Sequence, residues 1–412
     1  MANVSSSNGL EKRPKLRFPG FDEPWISQQF SCVFSFLQNN TLSRAELDSD
    51  GEVLNIHYGD VLIKFGSILD CNDKDIPHIA SGHESQNYQY LQNGDIIIAD
   101  TAEDETVGKA TELVNVSGRK VEAGLHTIPC RPLSCFASMY LGYYMNTPHF
   151  HRQLIPLMQG IKVLSISKGN IAKTKICAPK SMLEQQKISY LLNVLDRRTA
   201  AQRKVIEVLK KYKRGVVQKF FSEKEMAQWE TVKLKDVVDI FDGTHQTPNY
   251  KSEGVRFISV ENILNPLSTE KYISNDDYRK EFKVHPEYGD VLMTRIGDIG
   301  RTCYVNFNID MAYYVSLALF KCSSKIDGRY LAAYISTNDF QKELWERTLH
   351  IAFPKKINTG EIGECVIRLP NIARQIAISD QLDLIERVIR LTEKQYELLR
   401  AIRDGLMQQL FI

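Results

Sequence analysis

The segment LKKYKRGVVQKFF at 209–221 is answered by LRAIRDGLMQQLF at 399–411. Set at an offset of 190 residues, Leu209 meets Leu399, Gly215 meets Gly405, Gln218 meets Gln408 and Phe221 meets Phe411. The register extends upstream: Gln185, Ile188, Ser189 and Arg197 recur as Gln375, Ile378, Ser379 and Arg387. An internal repeat constrains a fold strongly, because one architecture must accommodate both copies.

Each copy has a helical period. Ser181 and Glu184 fit a capping box just after Pro179. From there a 4-3 spaced stripe runs through Ile188, Leu192, Leu195, Thr199, Gln202, Ile206, Leu209, Lys213, Val216 and Phe220. Adding 190 gives Ile378, Leu382, Ile385, Ile389, Thr392, Tyr396, Leu399, Arg403, Leu406 and Leu410. Helices of about 40 residues are about 60 Å long. A lone stripe of that length is stable only against a partner. The simplest partner is the other copy, so the reading is an antiparallel coiled coil relating the two halves of the chain by a pseudo-twofold axis. Gly215 and Gly405 interrupt the last turns, where a bend or close packing is expected.

The rest of the chain divides around these helices. Residues 1–14 read as a polar, disordered tail, 15–178 as a first globule and 179–225 as the first long helix region. Residues 226–370 read as a second globule and 371–412 as the second helix region. Each globule opens around a tryptophan, Trp25 or Trp229, and each has a Gly-Asp turn before a β-rich run, NGDIIIAD at 93–100 and YGDVLMTR at 288–295. Tyr140, Tyr144 and Phe150 recur as Tyr330, Tyr334 and Phe340. Short β-branched runs at 255–260, 289–296 and 313–322 read as strands, and 137–152 and 328–349 as helices. The fold class is therefore α+β: a tandem repeat of two similar globules, each followed by a long helix. Different loops on a shared scaffold imply two related sites with different ligands.

Bulk properties restrict function only broadly. With 52 Lys and Arg against 50 Asp and Glu, any basic surface has to be local. The eight cysteines form no C-x-x-C pair and read as reduced thiols of an intracellular protein. The N-terminus lacks the apolar stretch of a signal peptide, and no run is long enough for a membrane span. The expected location is the cytoplasm. No P-loop, H-E-x-x-H, G-x-S-x-G or N-P-P-[YF] motif is present. His149 and His151 read as residues of a helix surface rather than as a metal pair. The chain therefore reads as a recognition and assembly protein without catalysis, metal or cofactor of its own.

Several phrases resemble the DNA-specificity subunit of type I restriction–modification systems. They are PKLRFPGF near the start, TLSRAEL with NIHYGDVLIKFG at 41–66, LEQQKISYLLNVLD at 183–196, DGTHQTPNYKSEGVRFISVENI at 242–263, and the two helix ends. In order, they cover nearly the whole chain from Lys15 to Ile412. The resemblance implies that each globule is a target-recognition domain reading one half of a split sequence in double-stranded DNA. It implies that the helices set the spacer and dock two methyltransferase subunits, which carry S-adenosylmethionine and methylate adenine. It also implies a motor-nuclease subunit in the complete complex. The alternative is a coiled-coil scaffold whose globules bind protein or carbohydrate.

A reader of base edges needs Arg or Lys for guanine and Asn or Gln for adenine, with hydroxyls and amides for phosphate. In the second globule the loop GTHQTPNY supplies Gly243, Thr244, His245, Gln246, Thr247 and Tyr250, and Arg295, in VLMTRIGDIGR, follows a strand and is read as facing DNA. In the first, the candidates are Asn40, Thr41, Ser43 and Arg44, with Lys64 as another or, equally, as a solvated strand residue. The helix-pair seam is assigned to Ile188, Leu192, Leu195, Ile206 and Leu209 against Ile378, Leu382, Ile385, Tyr396 and Leu399. The run Lys210, Lys211, Lys213 and Arg214 is read as a solvated face, with a phosphate track or acidic partner as the sharper possibility.

Overall fold

The computed structural model describes residues 13–83 and 89–412, so the tail expected at 1–14 falls almost wholly outside the described residues. The chain forms two compact units, Met1–Arg203 with Lys394–Ile412, and Lys204–Glu393. The division cuts both long helices, Met182–Phe220 and Ile372–Gln409, so each unit owns half of each.

In the first unit a five-stranded sheet has the order Phe34–Phe36, Thr127–Pro132, Ile96–Ala99, Ala110–Val114 and Ile68–Asp70. A second sheet pairs Lys120–Ala123 in parallel with Val53–Ile56. A two-stranded ribbon joins Ile26–Gln29 to Lys175–Ala178 at the base of the first long helix. The second unit repeats this plan. Its main sheet runs Val238–Asp242, Leu317–Cys322, Val291–Thr294 and Thr302–Tyr304. Its second sheet also contains a parallel pair, Val255–Ile258 with Met311–Tyr313, and its ribbon joins Glu230–Lys233 to Val366–Leu369.

Two sequence readings change here. The run 313–322 is not one strand: Tyr313 ends a strand of the smaller sheet, while Leu317–Cys322 lies in the larger one. Its β-branched and aromatic composition suits both sheets, and the chain crosses between them at 314–316. The helical stretches at 137–152 and 328–349 are each two helices, Tyr140–Met145 with Pro148–Leu154 and Gly328–Ile335 with Asn338–Arg347. Thr147 and Thr337 stop the first helix and cap the second, each hydroxyl accepting the N–H of Phe150 or Phe340.

The repeated aromatics form one core motif. Phe411 enters the first core and packs on Trp25, Tyr140 and Tyr144 with centroids 5.7–6.4 Å apart. Phe221 does the same in the second with Trp229, Tyr330 and Tyr334 at 5.5–6.3 Å. Edge-on aromatic packing favours one seating of the helix end beyond the area it buries. The repeated glutamines are clamps. Gln185 Oε1 accepts the N–H of Ala137 and its amide donates to the Pro179 carbonyl. Gln375 accepts the N–H of Asp327 and donates to Lys325 and Pro370. Each clamp fixes its globule to the first turns of its long helix.

Pairing of the helices is antiparallel within each unit. In the first, Asp196 meets Arg403 and Gln202 meets Gln395, so rising numbers face falling ones. In the second, Lys210 meets Glu393 and Lys213 meets Glu386. The seam positions Ile188, Leu192, Ile206, Ile378 and Leu382 are buried, while Leu195, Leu209, Ile385, Tyr396 and Leu399 are half-buried. A Cβ at Gly215 or Gly405 would meet nothing within 4 Å, so neither glycine is there for close packing. The capping box is only half formed. Ser181 Oγ accepts the Glu184 N–H, but Arg17 and the Trp25 indole N–H hold the Glu184 carboxylate.

Glu112 has a related task in the first unit. From its strand it accepts the N–H groups of Met139 and Gly142 at 2.5 and 2.8 Å, capping the Tyr140–Met145 helix from outside. Burial pushes its carboxyl up to about 7 against those N–H groups, which favour the charged form. The second unit caps the corresponding helix locally, with Asp327.

Candidate nucleic-acid interface

In both units the same edge of the main sheet gathers the chemically varied loops. In the second unit Val238–Asp242 and Val291–Thr294 end there, where Leu317–Cys322 begins, since Asp242 pairs with Ala318 and Thr294 with Leu317. The loop from Gly243 leaves this edge. Gly243 is required because a Cβ would lie 2.3 Å from the Tyr313 carbonyl. Thr244 is half-buried and structural: it exchanges backbone bonds with Tyr313 and Val315, and its hydroxyl accepts the Gln246 N–H. That turn places His245, Gln246 and Thr247 outward, all exposed. Tyr250 stands on the flank, edge-on to Phe257 with the Lys271 ammonium 5.8 Å from its ring centroid.

Arg295 does not face outward, contrary to the sequence reading. It is 6% exposed. Nε donates to the Val315 carbonyl and lies 3.1 Å from Asp242, and Nη1 donates to the Ile357 carbonyl. A guanidinium with donors on several sides suits such a junction, and here it ties three segments together beneath the Gly243 loop.

The first unit presents the equivalent edge through residues after Phe36, after Ala99 and before Thr127. Asn40 likewise points inward rather than toward solvent, contrary to its reading as a DNA contact. It is 1% exposed, donates to Glu122 and accepts the Leu42 N–H, so it anchors the loop from beneath. Thr41 is exposed. Ser43 is exposed but closes a capping box with Glu46, bonding it through both N–H and hydroxyl. Arg44 makes a two-pronged pair with buried Asp60 at 2.6 and 2.8 Å, which raises its pKa further. More than half of its side chain remains open to solvent. Lys64 is not a strand residue. HYGDVLIK forms a helix, Tyr58–Ile63, because the His57 ring accepts the Gly59 N–H and starts it, and Lys64 ends it with its ammonium on the Asp75 carbonyl. Asp100 is held beside His126 and accepts the Thr101 hydroxyl, leaving Glu103, Asp104 and Glu105 exposed.

Within the second unit the basic run on the first long helix is partly neutralised. Lys210 and Lys213 pair with Glu393 and Glu386, so Lys211 and Arg214 are its outward members. That arrangement does not make a continuous phosphate track.

Residues 226–401 match the family model of the type I restriction modification DNA specificity domain. That match covers the second globule and most of the second long helix, under half of the chain. Among curated proteins it is 26% identical over 277 residues to the type I restriction enzyme MjaVIII specificity subunit of Methanocaldococcus jannaschii. The match covers 61% of this chain and 64% of that protein, just under two thirds of its length. Two solved structures share the fold. The S subunit of a type I restriction–modification system from M. genitalium superposes with a TM-score of 0.61 at 14% identity, over 97% of this chain and 99% of that one. A chain from a study of complex assembly and conformational transition in the type I R-M system gives 0.57 at 17%, over 94% and 97%.

Two features of this chain lie outside the candidate site residues. One is a second apolar stripe on the long helices, beside the seam and exposed: Val194, Val205, Val208 and Tyr212 on the first, Leu384, Leu391, Leu398 and Ile402 on the second. Val194 and Leu384, Val208 and Leu398, and Tyr212 and Ile402 are again 190 apart. The other is charge. Residues 123–183 contain seven Lys or Arg and no Asp or Glu, which balanced overall charge conceals.

Proposed function

We propose that this chain is the DNA-sequence-specificity subunit of a type I restriction–modification complex. Each unit reads one half of a split duplex target with the loops at its sheet edge. The observation that carries this reading is that one scaffold edge occurs twice with different outward side chains: His245, Gln246 and Thr247 in one unit, Thr41 and Arg44 in the other. Gln246 has the donor and acceptor needed for adenine, and Arg44 retains a free edge suited to phosphate or guanine. The long helices set the spacer between the half-sites. Their second apolar stripe, repeated in register, supports docking of two copies of one partner, the adenine methyltransferase subunit.

In this reading S-adenosylmethionine binds to the methyltransferase, DNA translocation and cleavage belong to a motor-nuclease subunit, and the assembly works in the cytoplasm. Among the described residues, no helix is long and apolar enough to cross a membrane.

The test is binding of the chain, co-purified with its methyltransferase subunit, to duplex DNA at a series of salt concentrations. Expected is an affinity that falls by a factor on the order of a thousand or more between about 50 and 200 mM salt, as phosphate neutralisation requires. Binding that ignores salt, or no binding to duplex, favours a scaffold for protein or carbohydrate.

A further inference from the structure

One surface feature opposes ordinary burial. In the second unit the hairpin 349–356 lifts Ile351 and Phe353 clear of the protein, at 99% and 104% exposure. Leaving two large apolar side chains in water forgoes the stabilisation their burial would give. Scattered exposed apolar residues are ordinary, but these share one tip. They also have a counterpart: Ile161, at the offset of 190, tips the hairpin 159–165 of the first unit at 100% exposure, with Val163 beside it.

The base of each hairpin is fastened by backbone hydrogen bonds. In the second unit Leu349 N–H donates to the Lys356 carbonyl, Gly297 N–H to Lys355 and Ile357 N–H to Arg295. Trp345 stands at the base, with the His350 ring 4.2 Å away and the Lys355 ammonium 4.5 Å from its ring centroid. In the first unit Gln159 and Ser165 exchange both backbone bonds, and Ile166 N–H donates to Asp100 as Ile357 does to Arg295. Each hairpin is therefore fastened to the sheet edge that carries the base-reading loops. In the second unit buried Arg295 is the shared fastener, bonded to Ile357 below the hairpin and Val315 below the Gly243 loop.

Charge identifies the occupant. From Thr348 to Gly360 the chain holds His350, Lys355 and Lys356 and no carboxylate. Asp298, on the neighbouring loop, is paired with Arg301. An apolar tip on a fastened, basic base matches the way DNA-bending proteins push an aliphatic or aromatic side chain between base pairs while lysines hold the phosphates. The first-unit tip carries Lys162 but lies near exposed Glu103, Asp104 and Glu105, so the case is strongest for the second.

We propose that the 349–356 hairpin is a DNA wedge: Phe353, with Ile351, inserts at a base step beside the half-site read by the Gly243 loop and unstacks it. This rests on the DNA-reading function proposed above.

The test uses the full chain co-purified with its methyltransferase and a duplex carrying its methylated motif, with 2-aminopurine placed in turn at each step of both half-sites and their flanks. With the native chain, fluorescence should rise at one step next to one half-site. The double variant Ile351→Ser, Phe353→Ser should abolish that rise and weaken binding about tenfold, and Phe353→Leu should keep both, since aliphatic wedges also unstack. Specific binding with no brightened step, or a rise that survives the double variant, overturns the wedge and leaves the base-reading function intact. A double variant that no longer co-purifies with the methyltransferase but still unstacks DNA assigns the tip to that protein instead. A native complex that binds no duplex specifically overturns the reading function and the wedge together.

Discussion

Phe411→Ala should unfold the first unit while the second stays closed. Phe411 is almost the last residue, yet its ring is buried against Trp25, Tyr140 and Tyr144. Replacing a buried phenylalanine by alanine costs about 3–5 kcal/mol, a large part of the stability of an ordinary domain. The loss is local because the second core is closed by its own phenylalanine, Phe221. Hydrogen exchange measured by mass spectrometry on the co-purified complex should show lost protection in peptides covering 26–36 and 140–154, with 317–347 unchanged. Equal loss in both sets would mean that the units do not unfold separately.

Gln246→Ala should change what is read in one half-site only. Gln246 is exposed at the tip of a turn fixed by the Thr244 hydroxyl, so its removal should not disturb the fold. A paired contact from a glutamine amide to adenine is worth about 1–3 kcal/mol of discrimination. The expected result is one relaxed base pair in the methylated motif, with the other half-site unchanged. If both half-sites relax, Gln246 acts through assembly; if neither does, the loop does not read bases.

The repeat was the most legible part of the fold, and for a physical reason. A long helix records its buried face as a period, and duplication prints the same period twice. Short loops carry no period, so their residues can only be sorted by chemical type. That procedure selected Asn40 and Arg295 because amides and guanidinium groups read bases. The same groups also satisfy buried carbonyls and carboxylates, and here that use prevailed. By residue type Lys64 suits a DNA contact and a solvated strand equally, whereas the His57 side chain starts a short helix there. The hairpin tips were overlooked for the converse reason: isoleucine and phenylalanine are assigned to a core by default. Their signal was nevertheless present, in Ile161 and Ile351 standing 190 residues apart.

The proposed function requires that this chain direct methylation to a split DNA target. The direct measurement is to express it with its methyltransferase subunit in a host lacking adenine methylation and to map N6-methyladenine across the genome. The expected result is a single two-part motif with a fixed spacer, present with this chain and absent without it. Methylation in an unsplit motif, or methylation unchanged when the chain is omitted, would contradict it.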